Sequence, residues 1–248
     1  MLKAVSLGPG DESLLTPAAR QAISEADVVA GYKGYIELVP DELLQGKEIL
    51  STGMMGEVDR AKGAVRAARD GKRTVMVCSG DAGIYAMAGL LLEILEADGL
   101  LDAVPFEVVP GVAAFNAAAA LLGAPLMHDF ASISLSDLLT PWELIERRLE
   151  AAASADFVIA IYNPRSKKRS DHLAKALGII GKFRGPDTPA GVVGKAYRSG
   201  QSVRVTTLGG VDVESVDMQT VLIVGNSATR KIGDRLITPR GYHRKYAI

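Results

Sequence analysis

Residues 74–96 read TVMVCSGDAGIYAMAGLLLEILE, and the reading of this stretch decides the fold. Thr74-Val75-Met76-Val77-Cys78 is a short apolar run with the length and β-branching of a buried strand. The turn Ser79-Gly80-Asp81-Ala82-Gly83 follows. The apolar period then becomes helical, with Ile84, Met87, Leu91 and Leu95 on one face. A tight strand-to-helix turn at the carboxyl end of a parallel strand is where open α/β sheets hold ligands. Its two glycines admit a ligand close to the backbone, and Asp81 brings a carboxylate to the helix's free N–H groups. Taken alone, this turn favours the plainer reading in which Asp81 only caps the helix. Similar turns recur along the chain, and the recurrence favours a ligand site.

Upstream, Lys3-Ala4-Val5-Ser6-Leu7 reads as the first strand, and Gly8-Pro9-Gly10-Asp11 ends it. Thr16 is placed to cap the next helix, with Pro17 at its first position. The loop is not G-x-G-x-x-G, because Ser13 stands where the third glycine belongs and Pro9 has no N–H. A dinucleotide fingerprint is unsupported, and a dinucleotide redox enzyme is disfavoured with it. Residues 27–32 form a second strand running into a Gly/Tyr-rich turn, and 47–50 an edge strand. The loop 51–57 opens a helix over 58–69. Downstream of the central helix, residues 106–109 form a strand that enters Pro110-Gly111-Val112-Ala113-Ala114 and a helix over 117–122. Small residues there suit a ligand's approach and close helix–sheet packing equally well.

Gly123-Ala124-Pro125-Leu126 breaks that helix, so residues 123–130 are expected to link two domains, 1–122 and 131–248. Beyond the linker, residues 131–135 alternate small polar and apolar side chains as antiparallel strands do. Thr140 and Pro141 signal the start of a helix over 143–153, with Glu143 three residues after Thr140. A buried strand over 156–162 ends in Asn163-Pro164-Arg165-Ser166-Lys167-Lys168-Arg169. Such a basic run is usually a solvated helix entrance, but its place at a strand's carboxyl end also suits an anion. Strands over 190–196, 203–208 and 220–224 complete a second sheet. The tail 241–246 is basic and aromatic and can fold back onto the site or a partner subunit. The expected fold is therefore two α/β domains, the first with a mainly parallel sheet and the second with a mixed one.

Composition narrows the function. The 248 residues are 48% hydrophobic and 23% charged, enough for a packed core in a soluble protein. A net charge of -1 argues against a general nucleic-acid binder. The single cysteine, Cys78, excludes an internal disulfide framework and reads as a buried small hydrophobe. His128, His172 and His243 are too scattered for a metal site, so no metal is expected. The chain begins directly on a strand, and its most apolar stretch, 111–127, is too short to span a membrane. A cytoplasmic protein without a signal peptide is expected.

In combination, GPGD with Leu14-Leu15-Thr16, the Gly80-Asp81 turn, PG-x-A-A at 110–114 and the Tyr162-Asn163 strand end resemble the tetrapyrrole methylase superfamily across nearly the whole chain. The segments GYKGYIELV, STGMMGEVDRA, SGDAGIYAMAGL, HDFASISLSDLLTPW and YNPRSKKR are similar to its branch acting at C-17 of precorrin-3B in vitamin B12 synthesis. The resemblance implies two α/β domains with S-adenosylmethionine in the cleft between them. It also implies methylation of C-17 of precorrin-3B or cobalt-precorrin-3 with ring contraction, and a homodimer. Carried over by motif, the cofactor contacts are Pro9, Ser79, Gly80, Asp81, Ile84, Ala113, Ala114, Asn163, Lys195, Ala196 and Tyr197. Many superfamily members have Thr where this chain has Ala113.

Methyl transfer from an activated sulfonium needs positioning and desolvation more than a strong base. A site of backbone groups and small residues suits it. The implied acceptor is a polycarboxylate, so a chain of charge -1 must concentrate cations locally. Arg165, Lys167, Lys168, Arg169, Arg198 and Arg244 are the candidates. Ring contraction calls for proton transfer, for which His128, Asp129, Ser134 and Asp137 are the candidate set. For each of these a plain role as linker pair, turn or cap competes. Three alternatives stay open: a methylase of the same fold acting on another corrinoid carbon, one acting on RNA or a protein side chain, and a non-catalytic binding module.

Overall fold

A computed structural model describes residues 1–166 and 169–247, in two compact units, Met1–Ala114 and Phe115–Ile248. The first unit runs β1 (Leu2–Ser6), α1 (Pro17–Glu25), β2 (Val28–Tyr32), α2 (Lys33–Ile36), α3 (Asp41–Leu44), β3 (Glu48–Thr52), α4 (Glu57–Arg69), β4 (Thr74–Cys78), α5 (Ala88–Ala97) and β5 (Phe106–Val109). The strands form one sheet in the order β3-β2-β4-β1-β5, every neighbouring pair parallel.

Side chains on a strand alternate between faces, so the apolar runs of β1 and β4 feed two cores at once. Ala4, Met76 and Cys78 pack with Ala64 and Val65 of α4 and Leu91 and Leu95 of α5. Val5, Val75 and Val77 pack on the other face with Ala19 and Ile23 of α1 and Leu43 of α3. The chain therefore leaves β1 along one face and β4 along the other, although the two strands are neighbours. Their carboxyl ends make a topological switch point, where open α/β sheets form ligand crevices.

The second unit continues with α6 (Ala114–Leu122), β6 (Gly123–Ala124), β7 (Phe130–Ser134), α7 (Trp142–Ser154), β8 (Val158–Tyr162), α8 (His172–Ile180), β9 (Pro189–Gly194), β10 (Ser202–Thr207), β11 (Thr220–Val224), β12 (Arg230–Ile232) and β13 (Arg235–Ile237). Its main sheet is mixed, in the order β10-β9-β11-β8-β7, with β7 and β8 parallel and the other neighbours antiparallel. Ile145 and Leu149 of α7 and Leu173 and Ile180 of α8 pack on Ile159, Ile161 and Leu222 of that sheet. A small sheet joins β12, β13 and β6.

Several local expectations change. The helix after β4 starts at Ala88, not at Ile84, because residues 82–87 form turns and Tyr85 takes a φ of 52°. Asp81 therefore caps no helix. Strand β7 runs parallel to β8, not antiparallel to a neighbour. It alternates because it lies at the sheet edge. Helix α7 has Pro141 as its N-cap with no side-chain bond, so Thr140 does not close a capping box. The cap at Thr16 does form, its hydroxyl accepting the Ala19 N–H at 3.1 Å. The β12–β13 hairpin escaped the sequence reading, although Gly233-Asp234 between two short strands is a recognised turn pair.

Cys78 ends β4 with 1% of its surface exposed, and burial pushes its thiol up to about 11. A thiol-specific disulfide reagent at neutral pH is expected to leave the native protein unlabelled and to titrate one thiol per chain in denaturant. Rapid native labelling would contradict this burial.

Candidate functional site

At the switch point three strand-end loops are tied together by backbone. Leu7 N–H donates to the Cys78 carbonyl at 2.8 Å. Gly8 N–H donates to the Gly80 carbonyl at 3.0 Å, and Gly80 N–H returns a bond to the Gly8 carbonyl at 2.7 Å. Both glycines hold a φ of +70°, a conformation that L side chains rarely adopt. Buried Ser6, the last residue of β1, accepts the Ala82 N–H on its hydroxyl at 2.8 Å. Asp81 completes the knot: one carboxylate oxygen accepts the Gly83 N–H at 2.8 Å and the other the Gly111 N–H at 3.0 Å. A Cβ on Gly111 would fall 2.5 Å from the Ser6 Cβ, so the third loop lies directly against the first.

The sequence-derived residues of this unit therefore converge. Pro9 and Gly80 are buried, Ser79, Asp81 and Ile84 half-buried, and Ala113 and Ala114 close on Gly80. A carboxylate has about four lone-pair sites, so Asp81 keeps acceptor capacity beyond its two backbone partners. Small side chains and close-lying backbone suit a ligand that needs holding and not chemical attack. Ser6 was missed, although it is the one polar residue in an otherwise apolar strand end.

In the second unit, β8 and β9 both run antiparallel to β11, so their carboxyl ends share one edge with that of β7. Three non-glycine residues there adopt left-handed backbone: Asn163 at φ 50°, Lys195 at 48° and Tyr197 at 56°. Each departs from the preferred regions at about 1 kcal/mol or more, and such residues gather at functional sites. Asn163 donates through Nδ2 to the Ser134 hydroxyl at 2.9 Å, and Ser136 N–H donates to the same oxygen at 3.2 Å. The Tyr162 hydroxyl accepts the Phe115 N–H at 2.9 Å. Ala196 lies half-buried between the two left-handed residues.

The candidate proton-transfer residues separate into groups. Ser134 belongs to the Asn163 network. Asp137 meets His172 Nε2 at 3.0 Å, and the other ring nitrogen faces Asp171 at 3.2 Å. Burial pushes the Asp137 carboxyl up, but the His172 hydrogen bond, with the charges of His172 and Arg169, leaves it below its ordinary value. His172, packed edge-on to Trp142 at 4.5 Å, had been set aside as a scattered histidine. The Asp129 N–H reaches His128 Nδ1 at 2.9 Å, the Asp129 carbonyl accepts the Val158 N–H at 3.1 Å, and both residues are exposed.

The basic run is divided too. Arg165 is held by the carboxylate and carbonyl of Glu214. Arg169 folds inward, with Nε on the Ser166 hydroxyl at 3.2 Å and Nη1 without a partner among the described residues. Lys167 and Lys168 lie outside the described residues. Arg198 is half-buried beside Lys195, whose carbonyl accepts its N–H at 2.9 Å, and Arg244 is exposed.

A parallel α/β unit with cross-braced strand-end loops, followed by a mixed-sheet unit with a strained strand edge, is an α/β architecture whose strand ends are suited to holding a ligand. The chain belongs to the Tetrapyrrole (Corrin/Porphyrin) Methylases, whose family profile matches residues 1–212. It is 49% identical to the cobalt-factor III methyltransferase of Priestia megaterium over 100% of this chain and 46% of that protein. It is 47% identical to the probable cobalt-factor III C(17)-methyltransferase of Salmonella typhimurium over 98% of this chain and 99% of the relative. The chain thus spans about half the length of the first relative and nearly all of the second. Among solved structures, the methyltransferase CobJ superposes with a TM-score of 0.91 at 39% identity, covering 96% of this chain and 99% of that one.

Two substitutions test this geometry by urea denaturation. Asp81→Asn has one acceptor for two backbone donors and is expected to lose about 1–3 kcal/mol of stability. Lys195→Gly relieves a left-handed residue and is expected to gain about 0.5–1 kcal/mol, whereas β-branched Lys195→Val loses stability. An unchanged midpoint for Asp81→Asn, or a gain for Lys195→Val, would contradict these contacts.

Proposed function

We propose that this protein transfers the methyl group of S-adenosylmethionine to C-17 of a precorrin-3-level tetrapyrrole, with ring contraction, in cobalamin biosynthesis. The observation that carries the reading is the 47% identity to the Salmonella relative over almost the full length of both chains. The names of the Salmonella and Priestia relatives favour the cobalt form of the substrate, cobalt-factor III, over the metal-free one. A homodimer in the cytoplasm, acting on neither nucleic acid nor membrane, completes the proposal. Among the described residues no helix is long and apolar enough to cross a membrane.

The residues fit the cofactor. S-adenosylmethionine supplies an electrophilic methyl on its sulfonium. What the chain must add is grip, orientation and exclusion of water. Ser79, Gly80, Asp81 and Ile84, with Pro9, Ala113 and Ala114, offer a backbone cradle fixed by the Gly8–Gly80 exchange. Asn163, Lys195, Ala196 and Tyr197 are the proposed cofactor contacts of the second unit, all but Ala196 on left-handed backbone.

Ring contraction needs protons moved at oxygen. Ser134 accepts two hydrogen bonds on its oxygen, which leaves its own proton to donate to a substrate oxygen. Asp137, kept ionised beside His172, is suited to accept one. His128 and Asp129 are a second, solvent-facing pair of proton carriers. Arg165, Lys167, Lys168, Arg169, Arg198 and Arg244 remain the proposed cations for substrate carboxylates.

Mass spectrometry of the pigment after incubation with S-adenosylmethionine tests the reading, with cobalt-factor III and metal-free precorrin-3B supplied separately. A methyl-sized gain on the cobalt substrate is the expected result. A gain only on the metal-free substrate would reverse the choice of form, and no gain on either would overturn the acceptor.

A further inference from the structure

Beside β13 the second unit holds a cavity of about 520 Å³ lined by Met127, Arg230, Ile237, Thr238, Pro239, Arg240 and Tyr242. Its floor is rigid. Thr238 is fully buried, shares a 2.7 Å hydroxyl contact with Thr229, and donates its N–H to the Ala124 carbonyl at 3.1 Å. Cross-strand pairing sets Arg230 directly opposite Ile237, which brings a cation and an apolar wall to one spot. Met127 and Tyr242 are 44% and 56% exposed, an open apolar surface beside two guanidinium groups.

Charge is concentrated here. Residues 230–245 carry Arg230, Lys231, Arg235, Arg240, Arg244 and Lys245 against one acid, Asp234, in a chain whose net charge is -1. Among the described residues neither Arg230 nor Arg240 forms an ion pair, whereas Arg165, Arg20 and Arg73 are each neutralised by carboxylates. Forked donors not engaged in ion pairs suit carboxylates bidentately. A small inorganic anion would gain nothing from the Met127, Ile237, Pro239 and Tyr242 walls. A flat apolar ring edged with carboxylates would use both features. The cavity also begins one residue before His128, a candidate for proton transfer.

We infer that this cavity is a subsite for a polycarboxylated macrocycle, in which Arg230 and Arg240 bind ring-edge carboxylates and Met127, Pro239 and Tyr242 lie against the ring. The inference deepens the proposed function and rests on it for the identity of the macrocycle, but its test does not require turnover. Uroporphyrin, a flat octacarboxylate, serves as the probe, and its fluorescence on titration with protein reports binding. Arg230→Gln and Arg240→Gln are each expected to weaken binding about tenfold, the equivalent of one charge-assisted contact. Arg66→Gln, which removes an exposed charge from α4 in the first unit, is expected to change binding less than about twofold and so separates a local contact from net charge.

Equal weakening by all three substitutions would overturn the subsite, as would pocket variants that bind like the wild type. Absence of saturable binding to the wild type would overturn it as well. Methyl transfer is read in parallel. A protein that methylates its substrate while ignoring both arginine substitutions keeps the proposed function and loses the subsite. Arginine-dependent binding without methyl transfer does the reverse.

Discussion

The two backbone hydrogen bonds exchanged between Gly8 and Gly80 are the constraint on which the first unit's site depends. Parallel strands exchange slanted bonds along their length and diverge once they end. Here β1 and β4 stay joined two residues beyond their ends because both segments turn left-handed at the same level, and only glycine does this without strain. That junction fixes the loop after β4, so Asp81 can reach across to Gly111 and bring the loop after β5 into the same knot. Loops at a sheet edge are ordinarily the mobile part of an α/β protein. In this one they are cross-braced by backbone donors and one carboxylate, before any ligand is considered.

The strand edge of the second unit is built differently. At its strand ends the left-handed positions belong to Asn163, Lys195 and Tyr197, residues that carry side chains and therefore strain. Glycine would be easier on the backbone but would project nothing. Retaining a side chain at each of these positions is consistent with an edge that has to present groups, as Asn163 does to Ser134. Under the proposed function the backbone cradle and the strained, side-chain-bearing edge both serve to hold a preactivated group, and the proton transfers of ring contraction fall to Ser134 and Asp137.

Much of this was legible in the sequence, for physical reasons that also explain what was not. Runs such as Thr74 to Cys78 and Val158 to Tyr162 are apolar on both faces, and only a covered sheet accommodates them, so the strands and the turns at their ends could be placed. The Thr16-Pro17 helix start was readable because its cap is a local contact. The role of Asp81 was not, since its second partner, Gly111, is thirty residues away and brought near only by β1 lying between β4 and β5. His172 was discounted for the same reason: its partner Asp137 is distant in sequence, and spacing rules for metal sites say nothing of a histidine clamped between carboxylates. The left-handed conformations at Lys195 and Tyr197 had no compositional mark, because such positions advertise themselves only when glycine or asparagine fills them.

The distribution of cations shows why a run of charge is a poor guide to an anion site. Arg165, in the most basic stretch of the sequence, already has its guanidinium on Glu214, and Arg169 turns into the protein. A paired cation must break one contact to make another, so its net contribution to binding an anion is small. Arg230, Arg235 and Arg240 are spread out in sequence, separated by glycine, proline and apolar residues, and attract no notice as a motif. Yet among the described residues folding leaves Arg230 and Arg240 without an ion pair, beside exposed apolar surface. For recognising a large anion, charge that is unpaired beside apolar surface matters more than charge that is dense along the chain. A protein of net charge near zero meets that requirement by keeping a few cations free of partners.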